Sequence, residues 1–179
     1  MSVIPVVKIS IVASIRSTKD KPNEASSPLV SAPNPHDSQM ADSAVLSTDQ
    51  DAAGSRLSAV NAGYLDDPFA RYFVKRVSAR PPLINIGTYV RTWAIDRLVE
   101  RFLTAGSGGQ KNKQILSLGA GTDTRFFRLM QGPLRESLAK YVEVDFAEAT
   151  TKKAMTIRKQ SQLAEVLGDD ARIGSSQIL

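Results

Sequence analysis

The turn Gly119-Ala120-Gly121 and the carboxylate of Asp145 are the residues whose types and spacing could do chemistry together. A short apolar run, Gln114-Ile115-Leu116-Ser117-Leu118, leads directly into the glycines. A strand that ends in Gly-Ala-Gly can turn tightly with no bulky side chain above it. A ligand can then lie against bare backbone at the start of the following helix. Asp145 comes 24 residues after Gly121, near the end of the alternating run Tyr141–Phe146. In doubly wound folds an acid at that place accepts hydrogen bonds from ribose hydroxyls. The spacing therefore points to a nucleoside ligand. Glu143 precedes Asp145 by two residues and shares its strand face, so either carboxylate could take the ribose; Asp145 is nearer the strand end.

The kind of nucleoside follows by elimination. No Gly-Lys-Ser/Thr is present, which excludes a phosphate-binding P-loop. A dinucleotide fingerprint needs a small third residue where this chain has Thr124. Asp123 puts negative charge at the mouth of the turn, which would repel a pyrophosphate and suits a sulfonium with a zwitterionic tail. The cofactor this points to is S-adenosylmethionine. Arg91 is expected in the first turn of a helix over Thr88–Leu103. A cation is electrostatically misplaced there, which makes it a candidate anion contact; the alternative is a solvated residue. The single histidine, His36, lies in a Ser/Pro-rich stretch unsuited to holding catalytic geometry.

The elements that must position these residues are readable in outline. Residues 56–61 favour a short helix that Gly63 ends. Pro68 suits the first turn of a helix through Val77, with Asp66 or Asp67 as its cap and Phe69, Tyr72, Phe73 and Val77 as its buried stripe. Arg80-Pro81-Pro82 breaks that helix. The helix from Thr88 carries apolar residues every four positions (Val90, Ala94, Leu98, Phe102), widened by Trp93, Ile95, Val99 and Leu103. This face, Trp93 included, is expected in the core, with Asp96 and Glu100 on the polar side. A strand over 114–118, the glycine turn, a helix over 123–130, a strand over 141–146 and a helix over 147–167 follow. That succession opens a parallel α/β sheet, of which two strands are legible.

Composition sets the outer limits. With 179 residues and a 42% hydrophobic fraction, the chain can form about one domain. The absence of cysteine excludes a disulfide framework and a cysteine nucleophile, and one histidine excludes a multi-imidazole metal site. The net charge of +5 is spread through the second part of the chain. Nucleic-acid binders usually gather such charge on one stripe, so no nucleic-acid partner is expected. No apolar run reaches the length of a membrane span, and a cytoplasmic protein is expected. Residues 1–16 hold no acid and read as an organelle leader, or as a loose tail or short strand. Residues 1–54 as a whole, dense in Ser and Pro, are expected to be a disordered arm before a domain over 55–179.

Four stretches in order resemble the leucine carboxyl methyltransferase family: SRLSAVNAGYLDDPFARYFV, RPPLINIGTYVRTWAIDRLVERFL, QILSLGAGTDTRFFRL, and YVEVDF with KKAMTIRK after it. The second has a fungal flavour. The resemblance covers about residues 55–159. It implies the N-terminal part of a Rossmann-like, S-adenosylmethionine-dependent methyltransferase fold with preceding helices. It also implies a substrate, the C-terminal leucine carboxylate of the type 2A protein phosphatase catalytic subunit. It assigns cofactor contacts to Arg56 in the first helix, to Arg91 as the holder of the methionine carboxylate, to Gly119 of the Gly119–Gly121 turn, and to Asp145 at the ribose. The family usually has arginine where this chain has Ile86. Family members run to about twice the matched region, so a truncated methyltransferase domain is expected, with its substrate-gripping residues elsewhere. A terminal carboxylate with a pKa of about 3.5 is already ionised at neutral pH. It needs no general base, so no catalytic residue is assigned. Two alternatives are the related branch that methylates the wybutosine of transfer RNA, which carries a long C-terminal extension, and a non-catalytic fragment.

Overall fold

The computed structural model describes residues 8–14, 35–76, 78–106, 113–167 and 172–173. Expectations for the first seven residues, for 15–34, for Val77 and for nearly all of the chain after Leu167 lie outside them. The elements run β1 (Lys8–Ser14), α1 (Pro35–Asn61), α2 (Pro82–Thr104), β2 (Lys113–Leu118), α3 (Arg125–Gln131), β3 (Leu138–Phe146), α4 (Ala147–Lys159), α5 (Ser161–Leu167) and β4 (Arg172–Ile173). Short 3-10 turns over Ala70–Phe73 and Pro133–Ser137 connect them. The result is an α/β fold with a wholly parallel four-stranded sheet in the order β2-β3-β1-β4.

The sheet is wider than the two strands expected. Strand β1 pairs with β3 from Lys8↔Lys140 to Ser14↔Phe146, and β4 adds Ser10↔Arg172 and Ile11↔Ile173 beyond it. Strand β3 is thus paired on both sides. Strand β2 is an edge, paired with β3 alone through Gln114↔Lys140 to Leu118↔Val144.

The core sits where α3, α4 and α5 pack with the 3-10 turn over Ala70–Phe73. Phe126, Phe127, Ile157 and Leu163 have no exposed surface there, and Leu138 and Tyr141 are sealed beside them. Phe127 is the hub. Its ring lies 5.4 Å from Phe69, 6.2 Å from Phe73 and 5.6 Å, edge-on, from Phe126.

Several elements differ from their sequence expectation, each for a local reason. The helix expected over 68–77 is a single turn, Ala70–Phe73, after which Val74 is extended. Asp67 fixes its entry by accepting the Phe69 N–H at 3.1 Å, and Phe69 and Phe73 still share the buried side. Pro81-Pro82 starts α2 six residues before the expected Thr88, because proline is preorganised for the first helical turn. Arg91 is therefore in the third turn, and the argument from its place at a helix N-terminus does not hold. The helix expected over 147–167 divides at Gln160, whose backbone is extended.

The arm expected to reach residue 54 contains most of α1. This helix runs through to Asn61 and is ended by Gly63 at φ +79°. Its small residues let it approach the rest of the fold: Ala53 and Ser55 are buried, and Ala59 is wholly so.

The largest correction concerns α2. Its buried residues are Asn85, Thr88, Thr92 and Leu103. The apolar positions Val90, Trp93, Ile95, Leu98 and Phe102 are 40–65% exposed. Helix α2 packs beside α1, and most of its buried positions carry short polar side chains. Thr88 donates to the Ile84 carbonyl at 2.8 Å and Asn85 to the Arg80 carbonyl at 3.2 Å, so their burial leaves these donors satisfied. Leu116 and Leu118 on edge strand β2 are 61% and 73% exposed. Among the described residues, no helix is long and apolar enough to cross a membrane.

Candidate functional site

A cleft of about 600 Å³ opens where β2 and β3 end, a size suited to a small ligand. It is lined by Arg56, Arg91, Gly119, Gly121 and Asp145, together with Asp49 and Asp123. The five sequence-derived candidates thus lie on one cavity, brought there by α1, α2, the glycine turn and the end of β3.

The turn is built by the backbone. Gly119 and Gly121 have φ of +63° and +45°, which a side-chain-bearing residue adopts only with strain. The Gly119 N–H donates to the Val144 carbonyl at 2.8 Å and stitches the turn to β3. Asp145 completes it: Oδ2 accepts the Gly121 N–H at 2.6 Å and Oδ1 accepts its neighbour Phe146 N–H at 2.7 Å. Each oxygen keeps a further lone pair for a hydroxyl donor. Of the two carboxylates open to choice in the sequence, only Asp145 faces the cleft. Glu143 is 1% exposed and lies under the turn, with Lys153 Nζ 2.6 Å from its Oε2. Lys153, equally buried, donates to the Asp123 carbonyl at 2.6 Å. Among the described residues neither Glu143 oxygen meets a donor at hydrogen-bonding angle, and its link to Lys153 is an ion pair by distance. Burial pushes the Glu143 carboxyl above its ordinary range against the pull of Lys153; Asp123 and Asp145 push the same way.

Sequence reasoning missed the ion-pair network that holds this floor. Arg56 Nη1 donates to Asp123 Oδ1 at 3.0 Å and to Thr124 Oγ1 at 2.9 Å. The Thr124 hydroxyl in turn donates a hydrogen bond to Asp67 Oδ2. Arg125 pairs with Asp123 and, at 2.7 Å, with Asp96, which also receives Arg128 at 2.6 Å. Asp96 was expected on the outer polar face of α2; instead it ties that helix to α3. Glu100 pairs with Arg97. Asp123 consequently does not present a bare charge to the cleft, and the argument that it repels a pyrophosphate loses its footing. Burial alone would raise its pKa, but Arg56, Arg125 and Lys153 outweigh burial and hold it at about 2.

Those cations make acid stability depend on Asp123. Its folded pKa is depressed from 3.8, so its contribution is full above about pH 4 and drains away as pH falls towards 2. The shift corresponds to about 2 kcal/mol. Urea midpoints measured from pH 5 to pH 2 should fall more steeply for the wild type than for Asp123→Asn. Parallel curves would refute the assignment.

Comparison with known proteins gives the site its context. The sequence model of the family described as leucine carboxyl methyltransferase matches residues 44–172. The chain is 46% identical over 149 residues to leucine carboxyl methyltransferase 1 of Cryptococcus neoformans, covering 75% of this chain and 40% of that protein. It is 50% identical over 140 residues to the protein of that name from Aspergillus fumigatus, covering 76% and 34%. The Arabidopsis thaliana leucine carboxyl methyltransferase 1 homolog is 45% identical over 130 residues, covering 73% and 38%. The chain thus spans about two fifths or less of the length of these curated relatives. With a family match over most of its length and the glycine turn and strand-end acid assembled inside the matched region, this chain belongs to the leucine carboxyl methyltransferase family of methyltransferases.

Proposed function

We propose that this chain is the cofactor-binding part of an S-adenosylmethionine-dependent enzyme with a Rossmann-like fold. Its substrate would be the C-terminal leucine carboxylate of the type 2A protein phosphatase catalytic subunit. One observation carries the reading: in a member of this family, the Gly119–Gly121 turn and the Asp145 carboxylate close on each other at the ends of two adjacent parallel strands. The donor set fits the cofactor. Asp145 has acceptor capacity for the ribose, Gly119 leaves open backbone above the turn, and Arg91 supplies a cation on the same cleft. When bound, the cofactor supplies an electrophilic methyl group. The residues described here orient: the glycine turn bounds the nucleoside, and the buried network beneath Asp123 keeps the turn from yielding. No side chain is needed to remove a proton, because a terminal carboxylate is already ionised.

Asp145→Ala should weaken S-adenosylhomocysteine binding about tenfold to a hundredfold in calorimetric titration, the loss expected for a hydrogen bond to a charged group. An unchanged affinity would remove Asp145 from the site. The reaction itself is tested with methyl-labelled cofactor and a phosphatase catalytic subunit. In an enzyme that joins this chain to the substrate-gripping part, base-labile label that disappears when the terminal leucine is deleted is the expected result. Label that resists base, or that ignores the leucine, overturns the substrate assignment.

A further inference from the structure

The acid at the mouth of the glycine turn is Asp49, which nothing in the sequence singled out. It stands on α1 seven residues before Arg56, two helical turns away on the same side. Its Oδ1 accepts both the N–H and the O–H of Thr122, each at 2.8 Å. Any side chain at Gly121 would collide with this carboxylate. The second glycine of the turn is therefore required by the approach of Asp49 as well as by its own φ. Among the described residues, no hydrogen bond or ion pair is made by Asp49 Oδ2. The guanidiniums of the cleft divide in a complementary way. Arg56 and Arg125 are engaged by Asp123 and Asp96, whereas Arg91 pairs with no acid among the described residues. Among the described residues, the cleft thus offers one uncommitted cation, Arg91, and two acids held by neutral donors alone, Asp145, which the reading above assigns to the ribose, and Asp49.

Resting on the reading of the ligand as S-adenosylmethionine, we propose that Asp49 is a cofactor-binding residue whose Oδ2 accepts a hydrogen bond from the α-ammonium of the methionyl end. That end is a zwitterion. Taking it out of water requires a counter-charge of each sign, since an unpaired charge in a cleft is costly. Arg91 meets the carboxylate and Asp49 meets the ammonium. The two Thr122 donors fix the Asp49 carboxylate in place beforehand, so little side-chain freedom is lost when the ligand arrives.

The test is calorimetric titration of the whole 179-residue chain and of its Asp49→Asn variant. Asparagine keeps an oxygen for Thr122 and removes the charge. Two ligands separate the roles: S-adenosylhomocysteine, which has the amino-acid end, and 5′-methylthioadenosine, which has the same nucleoside without it. Asp49→Asn should weaken S-adenosylhomocysteine about tenfold, as for loss of a charge-assisted bond, and leave 5′-methylthioadenosine within about twofold. Equal weakening of both ligands would show that Asp49 only braces the turn, and weakening of neither would remove it from the site; each overturns the proposal. A wild-type chain that binds neither ligand would overturn the cofactor reading itself, a result distinct from any effect of the variant.

Discussion

Lys153→Met should destabilise the chain by about 3–5 kcal/mol, the usual consequence of removing one partner from a buried ion pair. The side chains of Lys153 and Glu143 are each 2% exposed, and their charges lie 2.6 Å apart. Without the ammonium, the Glu143 carboxylate is stranded between β3 and the glycine turn, and the Asp123 carbonyl loses its donor. Burial already pushes the Glu143 pKa upward. In the variant that push is unopposed, so the folded state binds the proton more tightly than the unfolded chain. The variant should recover stability as pH falls through the raised Glu143 pKa, the sign opposite to that of Asp123. Lys153→Met combined with Glu143→Leu should regain most of the loss, since apolar residues of similar size replace a buried pair at little cost. Denaturant midpoints of the three variants decide the matter. A single-variant loss below about 1 kcal/mol, the range of exposed ion pairs, would show that water reaches Glu143.

Phe127→Ala should cost a similar amount, about 3–5 kcal/mol. Phe127 has no exposed surface, and three aromatic rings meet it. No neighbour can fill the space without breaking its own contacts, so a cavity remains. Trp93→Ala is the matched control. Trp93 is larger but half exposed on α2, and its loss should change stability by only about 0.5 kcal/mol. The ratio of the two effects, read from thermal or denaturant midpoints, tests the assignment of the core to α3 and its neighbours. A larger loss at Trp93 would place the core on the other face of α2.

The contrast between Phe127 and Trp93 also shows what the sequence could tell. Strand β2, the glycine turn, α3 and β3 were legible because their signals are local: an apolar run, two glycines, then an alternating run ending in an acid. Helix α2 was legible as a helix, but its orientation was not. Apolar residues occur on most of its surface, and the rule that they face inward fails where Thr88 and Thr92 are buried instead. Gly119, Gly121, Asp145, Arg56 and Arg91 do gather on one cleft. The partners of Arg56 could not be read, because Asp123 lies 67 residues away and the pairing leaves no periodic trace. Asp49 escaped for the same reason, its contact with Thr122 spanning 73 residues. It also stood in a segment whose composition suggests disorder. The sequence shows the density of Ser, Asp and Ala there, but not that a helix turns one face of it onto the glycine turn.

The sheet order imposes a sequence of assembly. Gln114 meets Lys140 across β2 and β3, a separation of 26 residues, whereas Lys8 meets Lys140 across β1 and β3, a separation of 132. Closing the longer loop costs about 1.4 kcal/mol more in chain entropy. The unit from β2 through α3 to β3 is therefore the favoured nucleus, and it carries the glycine turn and Asp145 within itself. Asp49 and Arg56 reach that unit only when α1 docks from far upstream. The cleft is accordingly made of a half that forms early and locally and a half that arrives late. The wall that bears Asp49 and Arg56 is the part whose presence depends on the whole chain having come together.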